Sequence, residues 1–477
     1  MIGTRRFISS SAIQLDSSSI NISSLFNFTN LFKRKNDAIS TTNTHQAYQN
    51  KGLATTATPD AKEATAALTS VTDDSTALSD PSIETNTTST NTSVSAYRRS
   101  THPTSVPLHK IFKNNFPLSF KESISHYTRR HERLKFQHDL LSLLPFYPEA
   151  DAKGRIAKVL QTKVDSSGNY INEFVIYPNA SIEACEQDPN MNHLIMIHGY
   201  GGGLGFFLKN FEQIATEKNW TIHAIDLLGY GCSSRPKFNS KNLDQVEDWF
   251  HDSFQAWLRA RKLDLKKDKI LIMAHSMGAY LMATYGIKRD PYFCQKLLMV
   301  SPGAIIKHRK SVYVPTYFAK LWEQNISPFA LVRNTGPLGS KITSGWSSRR
   351  FAKLTRREGE LLHKYAYGIF QAPGSGEYML NYLLAPGADA RHPLIERGVH
   401  KLKCKLSWWY GKEDWMDKKG GELCSNIINN INGEVRSDVK EINDSGHHIY
   451  LDNIGKFNSM LIEEMREMGK ENIGKED

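Results

Sequence analysis

No two of the five cysteines lie close together: Cys185, Cys232, Cys294, Cys404 and Cys424 are scattered and odd in number. That excludes a disulfide framework and a thiolate zinc site, and it points to a reducing compartment. No ligand spacing calls for a metal or a cofactor. Also missing is any uninterrupted apolar run of about 18 residues, so no transmembrane helix is expected. The first hundred residues are poor in large apolar side chains, which places the globular part at 101–477.

The two segments before it have different characters. Residues 1–36 carry Arg5, Arg6, Lys33, Arg34 and Lys35 among many serines, with Asp16 as their one acid. A basic, Ser-rich, acid-poor composition is that of a mitochondrial transit peptide, and Ile2, Phe7, Ile8, Ile13 and Leu15 are too dispersed to form a secretory core. Residues 37–100, with "TNTTSTNTS", bury too little to offset chain entropy and read as a Ser/Thr-rich linker. A sequon such as Asn86 would matter only in the secretory pathway. The expected address is the mitochondrion, peripheral to the matrix side of the inner membrane.

The net charge is +11, and residues 1–100 hold nine Lys and Arg against eight Asp and Glu, so +10 belongs to the rest. A basic surface attracts polyanions. Nucleic acid has no zinc spacing, RNP-like stretch or helix-turn-helix signature to support it. An anionic membrane surface is the better partner.

From about residue 170, "NEFVIYP", "LIMIHGY", "TIHAIDLLG", "KILIMAHS", "KLLMVSP" and "KLSWWYG" recur between polar stretches. Continuous rather than alternating hydrophobicity indicates strands covered on both faces, as in a parallel sheet between helices. Such an open α/β sheet binds ligands at the carboxyl ends of its strands. In "ILIMAHSMGAYLMATYG" a strand runs through Ser276 into a helix, and Ala274 and Gly278 are the small residues that so abrupt a turn needs. The pattern matches a nucleophile elbow with alanine in place of its first glycine. Alternatively Ser276 caps the helix.

A serine nucleophile needs a base, an acid to orient it and donors for the oxyanion. "IHGYGGGLGFF" suggests the N–H groups of Tyr200 and Met277 as those donors, with His198 as a turn residue; a phosphate loop would need a lysine-serine pair that does not follow. Asp414 in "YGKEDWMD" is the favoured acid and Asp417 the alternative; either could cap a helix instead. His447 in "SGHHIYLDN" is the base, with His448 as its confusing neighbour. His447 and Asp452 also have the His-x-x-x-x-Asp spacing of acyltransferases, although Asp452 or Asn453 could serve as the cap of the next helix.

Together, "HGYGGGLGFF", "AIDLLGYGCSSRP", "AHSMGAY", "VSPGAI", "GSGEYMLNYLLAPGADARHPL", "YGKEDWMD" and "GHHIYLD" resemble the lipid-acting α/β-hydrolases. That group includes lysophospholipases, lipid-droplet lipase coactivators, lysophosphatidic acid acyltransferase-like proteins and, with a mitochondrial presequence, the cardiolipin-specific deacylases of fungi. The likeness spans roughly 105–465. It implies an α/β-hydrolase fold, with a mostly parallel open sheet and a helical cap at about 303–403 between two late strands. It also implies deacylation of cardiolipin to monolysocardiolipin, with Ser276 and His447 in the reaction and no cofactor. The alternatives are acyl transfer from acyl-CoA to a lysophospholipid and a non-catalytic role as a lipase-binding partner. Within the cap region, the aromatic "YVPTYFAKLWEQNISPFALV", "KHRK" at 307–310 and "SSRRFAKLTRR" suggest a surface for anionic headgroups, with Arg349 and Arg350 as its contacts.

Overall fold

The computed structural model describes residues 118–265, 268–307 and 316–470. The expected transit peptide, the linker, the domain start at 101 and most of the basic run at 307–310 lie outside them.

Eight strands form one sheet: β1 (Ile156–Lys163), β2 (Tyr170–Tyr177), β3 (Asn192–Ile197), β4 (Trp220–Ile225), β5 (Lys269–His275), β6 (Lys296–Val300), β7 (Lys405–Gly411) and β8 (Ser437–Ile442). Their order is β1-β2-β4-β3-β5-β6-β7-β8. The pairs from β4 to β8 are parallel, whereas β1 and β2 run antiparallel at one edge. The expected sheet is thus present, with two strands added that the apolar runs did not mark and with "NEFVIYP" antiparallel to β4.

The unbroken apolar runs follow from burial on both faces. Alternate residues of the central strands enter opposite cores: Leu194, Met196, Leu271 and Met273 pack with Phe457 and Leu461 of the helix Ile454–Lys470. Ile195, Ile197, Ile270 and Ile272 pack with Phe250 and Phe254 of the helix Leu243–Ala260. β1 and β8 expose part of their length, so they carry charge where the inner strands cannot. Between β6 and β7 the chain leaves the sheet and forms the helices Thr316–Glu323, Pro328–Asn334, Gly339–Arg350 and Arg356–Gln371. Among the described residues no helix is long and apolar enough to cross a membrane.

The tightest fit lies where β5 turns into the helix Met277–Lys288. A Cβ on Gly278 would stand 2.5 Å from the His198 carbonyl oxygen, a backbone atom that cannot swing aside. Gly278 therefore lets that helix start directly against the loop after β3. Gly278→Ala should destabilise the protein by about 1–3 kcal/mol, the usual cost of overpacking. An unchanged denaturation midpoint would count against so close an approach.

Candidate active site

Ser276 occupies the turn after β5 with φ 53° and ψ −114°. For a residue with a Cβ this conformation costs about 1–3 kcal/mol and persists only where neighbours enforce it. Here the Ser276 N–H donates to the Val300 carbonyl at 2.9 Å, while its own carbonyl accepts from Gly303 and Tyr280, both at 3.2 Å. The side chain makes no cap hydrogen bond, so the helix-cap alternative is not what the structure shows. Its Oγ lies instead 2.9 Å from His447 Nε2.

His447 follows β8 in the loop before a short helix. Its Nδ1 is 3.0 Å from Asp414 Oδ1. A carboxylate only accepts, so the proton sits on Nδ1 and Nε2 is left to accept from the serine hydroxyl. The Asp414 side chain is 1% exposed, and its Oδ1 also accepts the Met416 N–H at 3.0 Å. The loop reaches this position because β7 ends in glycine: a Cβ on Gly411 would meet the Ser445 and Gly446 carbonyl oxygens at 2.4 Å.

The other expected residues divide. Tyr200 and Met277 line the same cavity as Ser276 and His447. Among the described residues neither of their backbone N–H groups has a hydrogen-bond partner, and Met277 opens a helix, where such donors are unspent. His198 is a turn residue: it donates from Nδ1 to the Gly199 carbonyl at 2.7 Å and accepts the Leu227 N–H at 3.1 Å. His448 also lines the cavity, but burial pushes its pKa well below the ordinary value.

One expectation needs correction and another a change of place. Asp417 is exposed, and its carboxylate accepts the Lys419 N–H at 2.9 Å, at the start of the helix Lys419–Asn432. Three residues beyond Asp414, it has followed the chain out of the turn to a helix end. Arg349 and Arg350 form no solvated face: both are half-buried, and Arg350 lines the cavity beside Ser276. The helix Gly339–Arg350 is buried along most of its length, which carries its last turn inward. As for the acyltransferase spacing, Asp452 Oδ2 accepts the Gly446 N–H at 3.0 Å and Oδ1 faces Arg350 Nη1 at 3.5 Å. The next helix is instead met by Asn453, whose side chain accepts the Lys456 N–H at 3.3 Å.

Sequence reasoning passed over two further residues. Asp226, fully buried in "AIDLLGYG", accepts the Leu204 N–H and the Cys232 N–H, each at 2.7 Å, and so fastens the glycine loop after β3 to the end of β4. His275 lies 2.8 Å from the His447 carbonyl through Nε2. That carbonyl only accepts, so His275 carries its proton on Nε2, and burial keeps the ring neutral. An acid ending one strand and a histidine beside a serine are the available signals, and only the fold shows what each reaches.

The rest of the cavity wall is mostly apolar, with Phe206, Phe329, Trp346, Leu380, Leu383 and Trp415. The arrangement can remove a proton from Ser276 while the two free N–H groups face charge developing on an attacked carbonyl. Asp414→Asn, which leaves Nδ1 facing a group with a different hydrogen-bonding pattern, should lower kcat on an ester by on the order of 10⁴-fold. Asp417→Asn should change it by less than about threefold, since this exposed carboxylate accepts the Lys419 N–H away from the reacting atoms. Comparable losses in both, measured on one ester, would exclude Asp414 as the sole orienting acid.

The alpha/beta hydrolase fold family model matches residues 192–454. Over 297 residues the chain is 31% identical to a protein of Oryza sativa subsp. japonica named as a probable 1-acylglycerol-3-phosphate O-acyltransferase, covering 59% of this chain and 69% of that one. It is 27% identical over 328 residues to the (Lyso)-N-acylphosphatidylethanolamine lipase of Homo sapiens, covering 66% and 90% respectively. With the 1-acylglycerol-3-phosphate O-acyltransferase ABHD5 of Rattus norvegicus it shares 28% over 285 residues, covering 57% and 76%. With its sheet and its Ser-Asp-His order along the chain, this protein belongs to the α/β-hydrolase family.

Proposed function

We propose that the protein is a serine esterase of phospholipids that removes a fatty acyl chain from cardiolipin, giving monolysocardiolipin at the mitochondrial inner membrane. The observation that carries the esterase reading is the chain of contacts from Ser276 Oγ to His447 Nε2, at 2.9 Å, and on from His447 Nδ1 to Asp414, at 3.0 Å. His447 takes the hydroxyl proton as Ser276 Oγ attacks the ester carbonyl, and the oxyanion is held by the N–H groups of Tyr200 and Met277. The C–O bond to the glycerol oxygen then breaks, and His447 returns the proton to that leaving oxygen. Water, deprotonated by His447, attacks the acyl-enzyme and releases the fatty acid. The lipid class is supported by the mostly apolar cavity and by relatives named for lysophospholipid chemistry. The choice of cardiolipin and of the mitochondrion rests on the basic, acid-poor N-terminus and the motif resemblance. A peripheral encounter with an anionic membrane surface is favoured by the net charge of +11.

A second reading, acyl transfer to a lysophospholipid, is favoured by the acyltransferase names of two of the relatives. It differs in the acceptor of the acyl group, a lipid hydroxyl instead of water. Purified protein incubated with cardiolipin should release fatty acid, and Ser276→Ala should reduce that release by on the order of 10⁴- to 10⁶-fold. Acyl-CoA-dependent product from lysophosphatidic acid that survives Ser276→Ala would favour transfer by a route without this serine. Inactivity of the intact protein in both assays would favour a binding partner of another lipase.

A further inference from the structure

Among the described residues, the wall of the cavity beside Ser276 carries one permanent charge. Of the residues that line it, Arg350 is the only Lys, Arg, Asp or Glu. His275 and His448, also in the wall, are held neutral by burial.

The Arg350 guanidinium is poorly satisfied where it stands. Nη1 faces Asp452 Oδ1 at 3.5 Å, long for a charge-assisted hydrogen bond. Nε and Nη2 are buried with no acceptor among the described residues. The other Asp452 oxygen accepts the Gly446 N–H. A guanidinium offers five donors in a rigid fork that suits a phosphate, and it cannot shed its proton to relieve the mismatch. Among the described lining residues, Arg350 is thus a cation with unused donors in an otherwise uncharged wall, a setting that suits an anion.

We propose that Arg350 is the subsite that binds the phosphate of a phospholipid or lysophospholipid substrate, with Asp452 as the positioning residue that holds it beside the His447 loop. The inference rests on Ser276 as the ester-cleaving nucleophile. The fatty acid carboxylate is the other anion the reaction offers, but it is generated at Ser276 itself. An anion at a second point of the cavity belongs to the part of the substrate beyond the ester oxygen, and in a phospholipid that part bears phosphate. The acyltransferase-like spacing is explained in the same terms: the Asp452 carboxylate is directed to Arg350 and to the loop backbone.

The test compares lauroyl lysophosphatidic acid with uncharged monolauroylglycerol as substrates. In Arg350→Gln the ratio of kcat/KM for the phosphate ester over the uncharged ester should fall about 10- to 100-fold, the effect of losing a charge-assisted contact. Arg350→Lys, which keeps the charge without the fork, should recover part of it. An unchanged ratio overturns the proposal, and a general folding defect would lower both rates without changing the ratio. Binding of lauroyl lysophosphatidic acid to Ser276→Ala protein, by calorimetry, is read in parallel and needs no turnover. If neither ester is cut yet Arg350→Gln still weakens that binding, the esterase reading fails and the subsite stands. Equal weakening of laurate binding would mark a carboxylate site, and tight binding of inorganic phosphate alone would mark a free-phosphate site; either result overturns the assignment to a lipid headgroup.

Discussion

The left-handed backbone at Ser276 is the constraint on which the rest of the site depends. A side chain at φ 53° is costly, and the turn is held from three directions: the end of β6, the start of the following helix, and Gly303. Each of those contacts also places something the chemistry uses. Val300 fixes the serine at the carboxyl edge of the sheet, and the helix leaves the Met277 N–H unspent. The strain thus exchanges local stability for a serine oxygen that meets the cavity above buried strands. Gly278 is what makes the helix side of this possible, because its lack of a Cβ lets the helix meet the β3 loop that carries Tyr200.

That steric logic explains how much of the molecule could be read from its sequence. The inner strands were legible because burial on both faces demands unbroken apolar runs, and β3 to β7 have them. β1 and β8 were not, since an edge strand keeps one side in water and can use Lys158, Asp438 or Glu441 without cost. Alanine at 274 did not obscure the elbow, because the requirement is for a small side chain and glycine is only its commonest solution. Asp414 was favoured over Asp417 by its place three residues after Gly411, but both follow a strand by a few residues, and a turn of the chain decides which carboxylate points inward. Where Arg349 and Arg350 would lie was not legible for a related reason, since charge in a sequence says nothing about which face of a helix is covered.

The histidines show the same dependence on context. Four of them, His198, His275, His447 and His448, lie near the serine, and hydrogen bonding gives the first three different tasks. His198 ties loops together, and His275 donates to the His447 carbonyl. Only His447 has a carboxylate on one nitrogen and a hydroxyl on the other. Burial keeps His275 and His448 neutral, so neither sets a repelling positive charge beside the imidazolium that forms when His447 takes the serine proton.

Hydrolysis and an acyl transfer that runs through Ser276 share the acyl-enzyme, so the nucleophile, base and oxyanion donors do not distinguish them. What distinguishes them is whether a lipid hydroxyl or water reaches the acyl carbonyl beside His447 Nε2. The mostly apolar wall disfavours bulk water and leaves room for either outcome. The discriminating feature is therefore anchorage of the acceptor. A lysophospholipid fixed by its headgroup would present its hydroxyl at high effective concentration, whereas an unanchored one would lose to water. Through Arg350, the balance between the two reactions becomes a question of how firmly the cavity holds an anionic headgroup while the acyl group is still on the serine.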